Sequence, residues 1–131
     1  MLSPLQPPPD TADIPATGSV ASSDVVVVAP EGELDLETAP VLCARLAGAR
    51  AGRVLLDLGA VGFCDSSGLR TIIGAAQETA IHRGRFVVVA PPDSQPARML
   101  ALTGLQEFLT IVGDREAGFE RLLRGRRTSP R

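Results

Sequence analysis

The chain has 131 residues, 44% of them hydrophobic and 21% charged, which is ordinary for one compact globular domain. Its net charge of −2 and its lack of Trp and Tyr argue against nucleic-acid attraction and against aromatic platforms that stack bases or sugars. Because it has only two cysteines, no apparent signal peptide and no long apolar run, we expect a reducing, cytoplasmic location without a membrane span.

Residues 1–19 are a proline-rich segment without hydrophobic periodicity, and we predict that they form a disordered arm. Such a segment buries too little surface to offset the entropy that ordering costs. The stretch from about Thr17 to Ser22 is able to pair as a short edge strand. Charge is also uneven, because residues 1–37 carry seven acids and no Arg, whereas residues 121–131 carry five Arg and no acid.

Short apolar runs rich in Val, Leu and Ile predict four strands in the rest of the chain. They lie at 25–29, 53–58, 86–90 and 108–112. The residues from Gly59 to Cys64 are predicted as a short link that follows the second strand. Because the strands alternate with helices, they imply right-handed βαβ connections, and the fold class is α/β with a mostly parallel sheet.

Four helices are predicted between and after these strands. The first covers 38–50 with Thr38 as its N-cap, and the second covers 66–82 with Gly84 as its C-terminal stop. A short third helix follows Ser94, and the fourth runs from Asp114 to about Leu123. The apolar face of the first helix is predicted as Val41, Leu42, Leu46 and Ala49, and that of the second as Leu69, Ile72, Ile73, Ala76 and Ala80.

The most informative stretch is 63–69, with the sequence FCDSSGL, since it opens the strongly amphipathic second helix. A helix start has unpaired N–H groups and partial positive charge, so a serine there is positioned to cap the helix or to carry a phosphate. A phosphate would find N–H donors close by and would place nearly two negative charges beside Asp65, which would repel a docked partner. Gly68 leaves room for another backbone. The alternative is that Asp65, Ser66 and Ser67 are only a cap.

Four short motifs in order resemble the STAS domain of bacterial anti-sigma factor antagonists. They are GELD at 32–35, TA at 38–39, FCDSSGL at 63–69 and LTGL at 102–105. The resemblance covers about residues 20–124, which we predict to be the STAS domain, followed by a basic flexible tail at 125–131. It implies a four- to five-stranded mostly parallel mixed sheet with about four helices, in which an N-terminal strand is the non-parallel member.

The resemblance also implies a partner-switching function. In that family the unphosphorylated protein binds an anti-sigma factor of the serine kinase type and so releases a sigma factor. The kinase uses ATP to phosphorylate the antagonist, and a serine phosphatase acts on the phosphorylated form to restore the unphosphorylated one. The phosphoacceptor position falls on Ser66, and Ser67 is assigned to capping. The predicted partner-binding residues are Asp35, Asp65, Ser66, Ser67, Gly68 and Leu69. For two of them a simpler alternative exists, in which Asp35 ends a strand or caps the first helix and Asp65 caps the second.

Other functions have weaker support in the sequence. An enzyme that pairs Cys64 with the single histidine, His82, is disfavoured because the intervening helix separates them by roughly 24 Å. No metal-ligand spacing and no Gly-rich phosphate loop occur, so we expect no cofactor. The C-terminal arginines lack a recognition element, so no direct nucleic-acid partner is expected. The alternative function is a non-phosphorylated STAS-type ligand-sensing or scaffold module.

Overall fold

A computed structural model describes residues 25–49 and 52–128, with side chains described as far as Leu123. The predicted arm at 1–19 and the predicted edge strand at 17–22 lie outside these residues. The elements in chain order are β1 Val25–Val28, β2 Gly32–Leu34, α1 Ala39–Ala47, β3 Arg53–Asp57, β4 Val61–Cys64, α2 Ser66–Ile81, β5 Arg85–Val89, α3 Gln95–Leu102, a 3-10 turn Leu105–Glu107, β6 Thr110–Val112 and α4 Arg115–Thr128.

The strands form two parallel sheets. The larger has the order β1-β3-β5-β6, with Val27, Leu55 and Val87 side by side in register, and the smaller pairs β2 with β4. All strand pairs within 25–49 and 52–128 are parallel, as the alternation of strands and helices predicts. The α/β class and the four α-helices are confirmed. The non-parallel N-terminal strand falls outside the described residues.

The large sheet is covered on both faces, which explains why its strands are apolar at successive positions. On one face Val28, Leu56 and Val88 pack with side chains of α1, α2 and α3. On the other face Val27, Leu55 and Val87 pack with Leu122 of α4. The helix α4 approaches closely at Gly118, where an added Cβ would lie 2.7 Å from Leu55 Cδ1.

The prediction of a loop at 59–64 is wrong, because Val61–Cys64 forms strand β4 and pairs with the equally unpredicted β2. Both strands are very short, and β4 is buried only at its two ends, Val61 and Cys64. Neither a continuous apolar run nor a regular alternation is therefore present in the sequence. Each of the two strands depends on pairing with the other, which is distant along the chain.

The end of α2 also differs from the prediction. The left-handed residue is Arg83, with φ +64°, and not Gly84. The N–H of Arg83 donates to Ala80 O at 3.0 Å and that of Gly84 to Thr79 O at 2.7 Å, which is the Schellman pattern of helix termination. Gly84 therefore follows the turn residue. Its proximity to the helix end was right, but the position that needs positive φ is one residue earlier.

The buried faces of α1 and α2 and the bounds of β6 and α4 differ in detail from the sequence prediction. Near the C-terminal end of α2 the buried residue is Thr79, whose hydroxyl donates to Ala75 O at 2.7 Å, while the predicted Ala80 is exposed. In α1 the predicted Val41 is exposed. The strand β6 begins at Thr110 because the 3-10 turn occupies the preceding residues, and α4 extends past Leu123 to Thr128. Within the described ranges, no helix is both long and apolar enough to cross a bilayer.

Candidate functional site

The two aspartates that the sequence singled out follow neighbouring parallel strands and therefore meet at one edge. Leu34, the last residue of β2, is in register with Cys64, the last residue of β4. The N–H of Asp65 donates to Leu34 O at 3.0 Å, which extends the pairing by one step. The small sheet thus brings Asp35 beside Asp65, although thirty positions separate them in the sequence.

Asp65 is the N-cap of α2. Its Oδ1 accepts hydrogen bonds from the N–H of Ser67 at 2.7 Å and of Gly68 at 3.1 Å. The assignment of capping to Ser67 is therefore wrong, because the carboxylate of Asp65 already takes the N–H groups that a cap satisfies. Ser67 instead lies half-buried, and its carbonyl accepts the hydroxyl of Thr71 at 3.2 Å.

Ser66 is the first residue of α2 and is exposed. Among the residues that the structure describes, its hydroxyl has no hydrogen-bond partner, and neither has its N–H. The expectation that a phosphate there would find several free donors needs correction, because Asp65 occupies the N–H groups of Ser67 and Gly68. A phosphate on Ser66 would meet one free backbone donor, its own, and would lie next to a carboxylate.

Gly68 and Leu69 are buried within the domain. A Cβ on Gly68 would lie 2.8 Å from Leu34 Cβ and 2.9 Å from Leu34 O. The backbone that approaches this glycine is therefore that of β2 in the same chain, and not that of a partner. Gly68 positions the start of α2 against the small sheet, and Leu69 packs in the core below it. A partner contact by either residue stays a prediction, with little exposed surface to support it.

The loop that carries Asp35 is held by its own side chains. Asp35 Oδ1 accepts the N–H of Glu37 and of Thr38, both at 3.0 Å. Thr38 occupies the N-cap position of α1, but its side chain makes no cap bond to the helix. Its hydroxyl donates to Glu33 O at 2.8 Å instead. The alternative role of Asp35, at the strand end and the entry to α1, is thus what the geometry shows.

Two apolar side chains beside this edge were not predicted as part of the site. Leu36 is 77% exposed in the loop before α1, and Phe63 is 44% exposed on β4. Phe63 is paired with Glu33 across the small sheet. A single apolar residue in a polar loop, such as Leu36, carries no sequence signal. Together with Ser66 and the two aspartates, these side chains form what we call the switch face: Asp35, Leu36, Phe63, Asp65 and Ser66.

Cys64 lies on the buried side of β4, and its thiol is unreactive at neutral pH. Burial, and to a smaller extent the Asp65 carboxylate, raise the pKa of its thiol from 9.0 to about 11, so it is protonated at neutral pH. Its N–H donates to Gln95 Oε1 at 2.8 Å, and its carbonyl accepts from Gln95 Nε2 at 3.2 Å. Gln95, at the start of α3, thereby closes the outer edge of β4. Sequence offered no signal for this contact.

The described side chains offer no alternative chemical centre at this edge. His82 lies at the C-terminal end of α2, the full length of a 16-residue helix from Ser66. Among residues 25–49 and 52–123, no group of three or more His, Cys, Asp and Glu side chains is placed to hold a metal ion. Among the described residues, this edge presents the exposed hydroxyl of Ser66 next to carboxylates and apolar side chains.

Comparison with known proteins gives this architecture a family. The STAS domain model matches residues 18–117. The crystal structure of TM1081 from Thermotoga maritima is 26% identical, with a TM-score of 0.68 over 76% of this chain and 88% of that one. An anti-sigma factor antagonist from Mycobacterium paratuberculosis is 28% identical, with a TM-score of 0.66 over 76% and 86%. The unphosphorylated form of SpoIIAA, at 24% identity and a TM-score of 0.62 over 79% and 91%, supports the fold. No curated protein sequence matches.

The fold is a parallel α/β domain with a serine at the start of α2, and the STAS domain model matches most of its length. The chain belongs to the STAS domain family. Among the solved structures that it resembles is the anti-sigma factor antagonist from Mycobacterium paratuberculosis.

Proposed function

We propose that this chain is an anti-sigma factor antagonist whose unphosphorylated form binds an anti-sigma factor of the serine kinase type and thereby releases a sigma factor. Phosphorylation of Ser66 by that kinase switches binding off, and a serine phosphatase restores it. The observation that supports this most directly is the exposed Ser66 hydroxyl, unpaired among the described residues and held at a fixed helix start. The proposal assigns no catalytic step to this chain and places the switch in the cytoplasm, where ATP is available.

The geometry favours Ser66 over Ser67 as the phosphoacceptor. Ser66 is exposed, whereas Ser67 is half-buried and lies along the groove between α1 and α2. A kinase must bring the γ-phosphate of ATP in line with the accepting oxygen, which requires open space around the hydroxyl. Ser66 offers that space, and the cap by Asp65 fixes the backbone from which its side chain projects.

Electrostatics explains how one phosphate would change binding. The exposed or half-exposed carboxylates of Glu33, Asp35, Glu37 and Asp65 already make this edge acidic. A partner that docks here is expected to cover Leu36 and Phe63 with an apolar surface and to lie close over the Ser66 hydroxyl. A phosphoserine adds about −1.5 to −2 charge at neutral pH. Because Asp65 has taken the N–H groups of Ser67 and Gly68, a phosphate buried under the docked partner would lose its hydration beside a carboxylate, which weakens the complex.

The direct test is intact-mass analysis after incubation with ATP and each kinase-like anti-sigma factor of the host. We expect one added phosphate, which disappears in Ser66→Ala and persists in the matched control Ser67→Ala. Phosphate transfer to Ser67 would contradict the assignment of the residue. Absence of both transfer and binding with every candidate would contradict the switch and favour a ligand-sensing or scaffold module.

Binding measurements with the same variants test the second half of the proposal. Ser66→Ala removes only a hydroxyl from an exposed position, so it is expected to bind the anti-sigma factor like the unmodified protein. Ser66→Glu adds one charge beside Asp65 and is expected to weaken binding by about tenfold or more, equivalent to about 1.4 kcal/mol. Equal affinity of the two variants in calorimetry would contradict a charge-based switch.

A further inference from the structure

A groove of about 840 Å³ runs between α1 and α2 and is distinct from the switch face, although the two share Leu36. Its ends are apolar and open, with Leu36 77% exposed at one end and Ile81 69% exposed at the other. Its walls include Pro40 and Cys43 of α1 and Arg70 of α2. Exposed apolar surface of this kind in a small domain indicates a binding site.

The floor of the groove contains a glycine that the fold itself does not require. Gly74 lies in the middle of α2, and a Cβ built on it would have no atom within 4 Å. A glycine costs a helix interior about 1 kcal/mol relative to alanine. At Gly68 a close contact within the chain explains the absence of a side chain, but at Gly74 nothing in the described domain does. Open space above Gly74 allows a chain to lie close to the helix.

We propose that residues 5–10 of this chain's own N-terminal arm, with the sequence LQPPPD, occupy the α1–α2 groove. The arm is close enough, since residues 11–24 connect the docked segment to β1 and an extended chain covers about 3.1 Å per residue, for a reach of about 43 Å. A domain of this size has a diameter of only about 30–35 Å. Every part of the groove is therefore within reach of the arm.

The segment 5–10 and the α1–α2 groove match in length and in charge. From Arg70 to Ile81 along α2 is about 16 Å at 1.5 Å per residue. From Asp10 back to Leu5 is about 15 Å in the polyproline conformation that Pro7, Pro8 and Pro9 favour. With Asp10 on Arg70, Leu5 therefore reaches Ile81 and the three prolines cross the floor at Gly74. The arm contains no basic side chain that Arg70 would repel.

The prolines also lower the cost of docking. A proline-rich segment is already extended and has little backbone freedom left to lose, which is why such segments are bound in apolar grooves in many recognition modules. Leu36 and Ser67 border both the groove and the start of α2. A docked arm would therefore compete with a partner on the switch face, a consequence that rests on the proposed function.

The test measures access to Cys43, an exposed thiol on the groove wall, in the full-length protein without any partner or nucleotide. A neutral alkylating reagent is used, and the buried Cys64 reports that the fold is intact. The variant Leu5→Asn alters no charge and weakens the apolar contact. If the arm covers Cys43 about 80% of the time, this variant raises the alkylation rate of Cys43 about fivefold. The matched control Leu2→Asn, outside the docked segment, leaves the rate unchanged.

A charge exchange makes the test specific. Arg70→Asp also raises the Cys43 rate, although an added carboxylate near a thiol would by itself slow alkylation. Combining it with Asp10→Arg restores protection, because the pair is re-formed in reverse. Equal rates in the parent protein, in Leu5→Asn and in Arg70→Asp would overturn the proposal. So would protection that increases with protein concentration, because that result would mean that a second copy supplies the arm. Neither result bears on phosphorylation of Ser66.

Discussion

The four-stranded and the two-stranded sheet are both parallel, but only the larger is covered by helices on both faces. In the larger sheet every residue of β3 between its two ends is buried. In the smaller one, Gly62 and Phe63 of β4 are exposed, and only its end residues are buried. The large sheet stabilises the domain, and the small sheet places Asp35 and Asp65 side by side at the surface.

Two contacts attach the small sheet to the helices, and they explain how a poorly covered sheet keeps a fixed geometry. Gly68 lets the start of α2 lie against Leu34 of β2. Gln95 of α3 pairs with both backbone groups of Cys64 and so closes the free edge of β4. Leu34, Cys64 and Leu69 belong to the same hydrophobic cluster as the large sheet, so the exposed position of Ser66 depends on these close contacts and on the core that they share. Four predictions test this division.

The largest effect is expected from Leu55→Ala in the large sheet. Leu55 is fully buried and lies beneath Gly118 of α4. Its truncation leaves a cavity between the sheet and that helix and is expected to lower the free energy of unfolding by about 3 kcal/mol. The exposed Val41→Ala serves as the control, with a change below about 0.5 kcal/mol. Urea denaturation measures both, and similar losses in the two variants would contradict the burial difference.

The second effect concerns the buried side of the small sheet at high pH. Because the pKa of Cys64 is raised from 9.0 to about 11, the folded state holds this proton more tightly than the unfolded chain does. The stabilisation is therefore full below pH 9 and is lost as the pH rises to about 11. The loss is at most about 3 kcal/mol, since one pKa unit corresponds to about 1.4 kcal/mol.

This pH window is unusually clean, because the chain has no Lys and no Tyr to titrate within it. Unfolding free energies measured from pH 8 to 11 are expected to decline in the parent protein and in Cys43→Ala. In Cys64→Ala the decline is expected to disappear, whatever its starting stability. A decline of the same steepness in Cys64→Ala would refute the role of this thiol.

The third prediction concerns the contact that joins α2 to the small sheet. Gly68→Ala places a methyl group against the backbone of Leu34, so the helix start must shift, at a cost of about 2 kcal/mol. The matched control is Gly74→Ala on the same helix, made in the Leu5→Asn background so that the proposed arm contact is already weakened. The space above Gly74 is then open, and the change is expected to stabilise by up to about 1 kcal/mol. Thermal unfolding of the two variants distinguishes them by opposite shifts in Tm. Shifts of the same sign would disprove the internal role of Gly68.

The smallest effect is expected at the cap of α2. Asp65→Ala leaves the N–H groups of Ser67 and Gly68 without their acceptor and is expected to cost about 1 kcal/mol. Asp65→Asn keeps a capping oxygen and removes the charge, so its cost is only a few tenths of a kcal/mol. Chemical denaturation of both variants separates capping from charge. If Asn costs as much as Ala, the charge and not the cap is what stabilises this helix start.

The sequence by itself determined the framework. The apolar runs at β1, β3 and β5 and the periodicity of α2 are local signals, because both faces of a covered strand and one face of a helix must be apolar. The order of the motifs around Asp35 and Ser66 was likewise enough to indicate the family. The confirmed α/β class and STAS family therefore required no tertiary information.

Only the tertiary structure decided which residue does what within the site. The short strands β2 and β4 exist because they pair with each other, and neither has a pattern of its own. Three contacts depend on distances between groups that sequence periodicity does not reveal. They are the cap by Asp65, the close approach at Gly68 and the hydrogen bonds of Gln95 to Cys64. The exposure of Leu36 and Phe63 has the same origin, since whether an apolar side chain is covered depends on what distant segments pack against it.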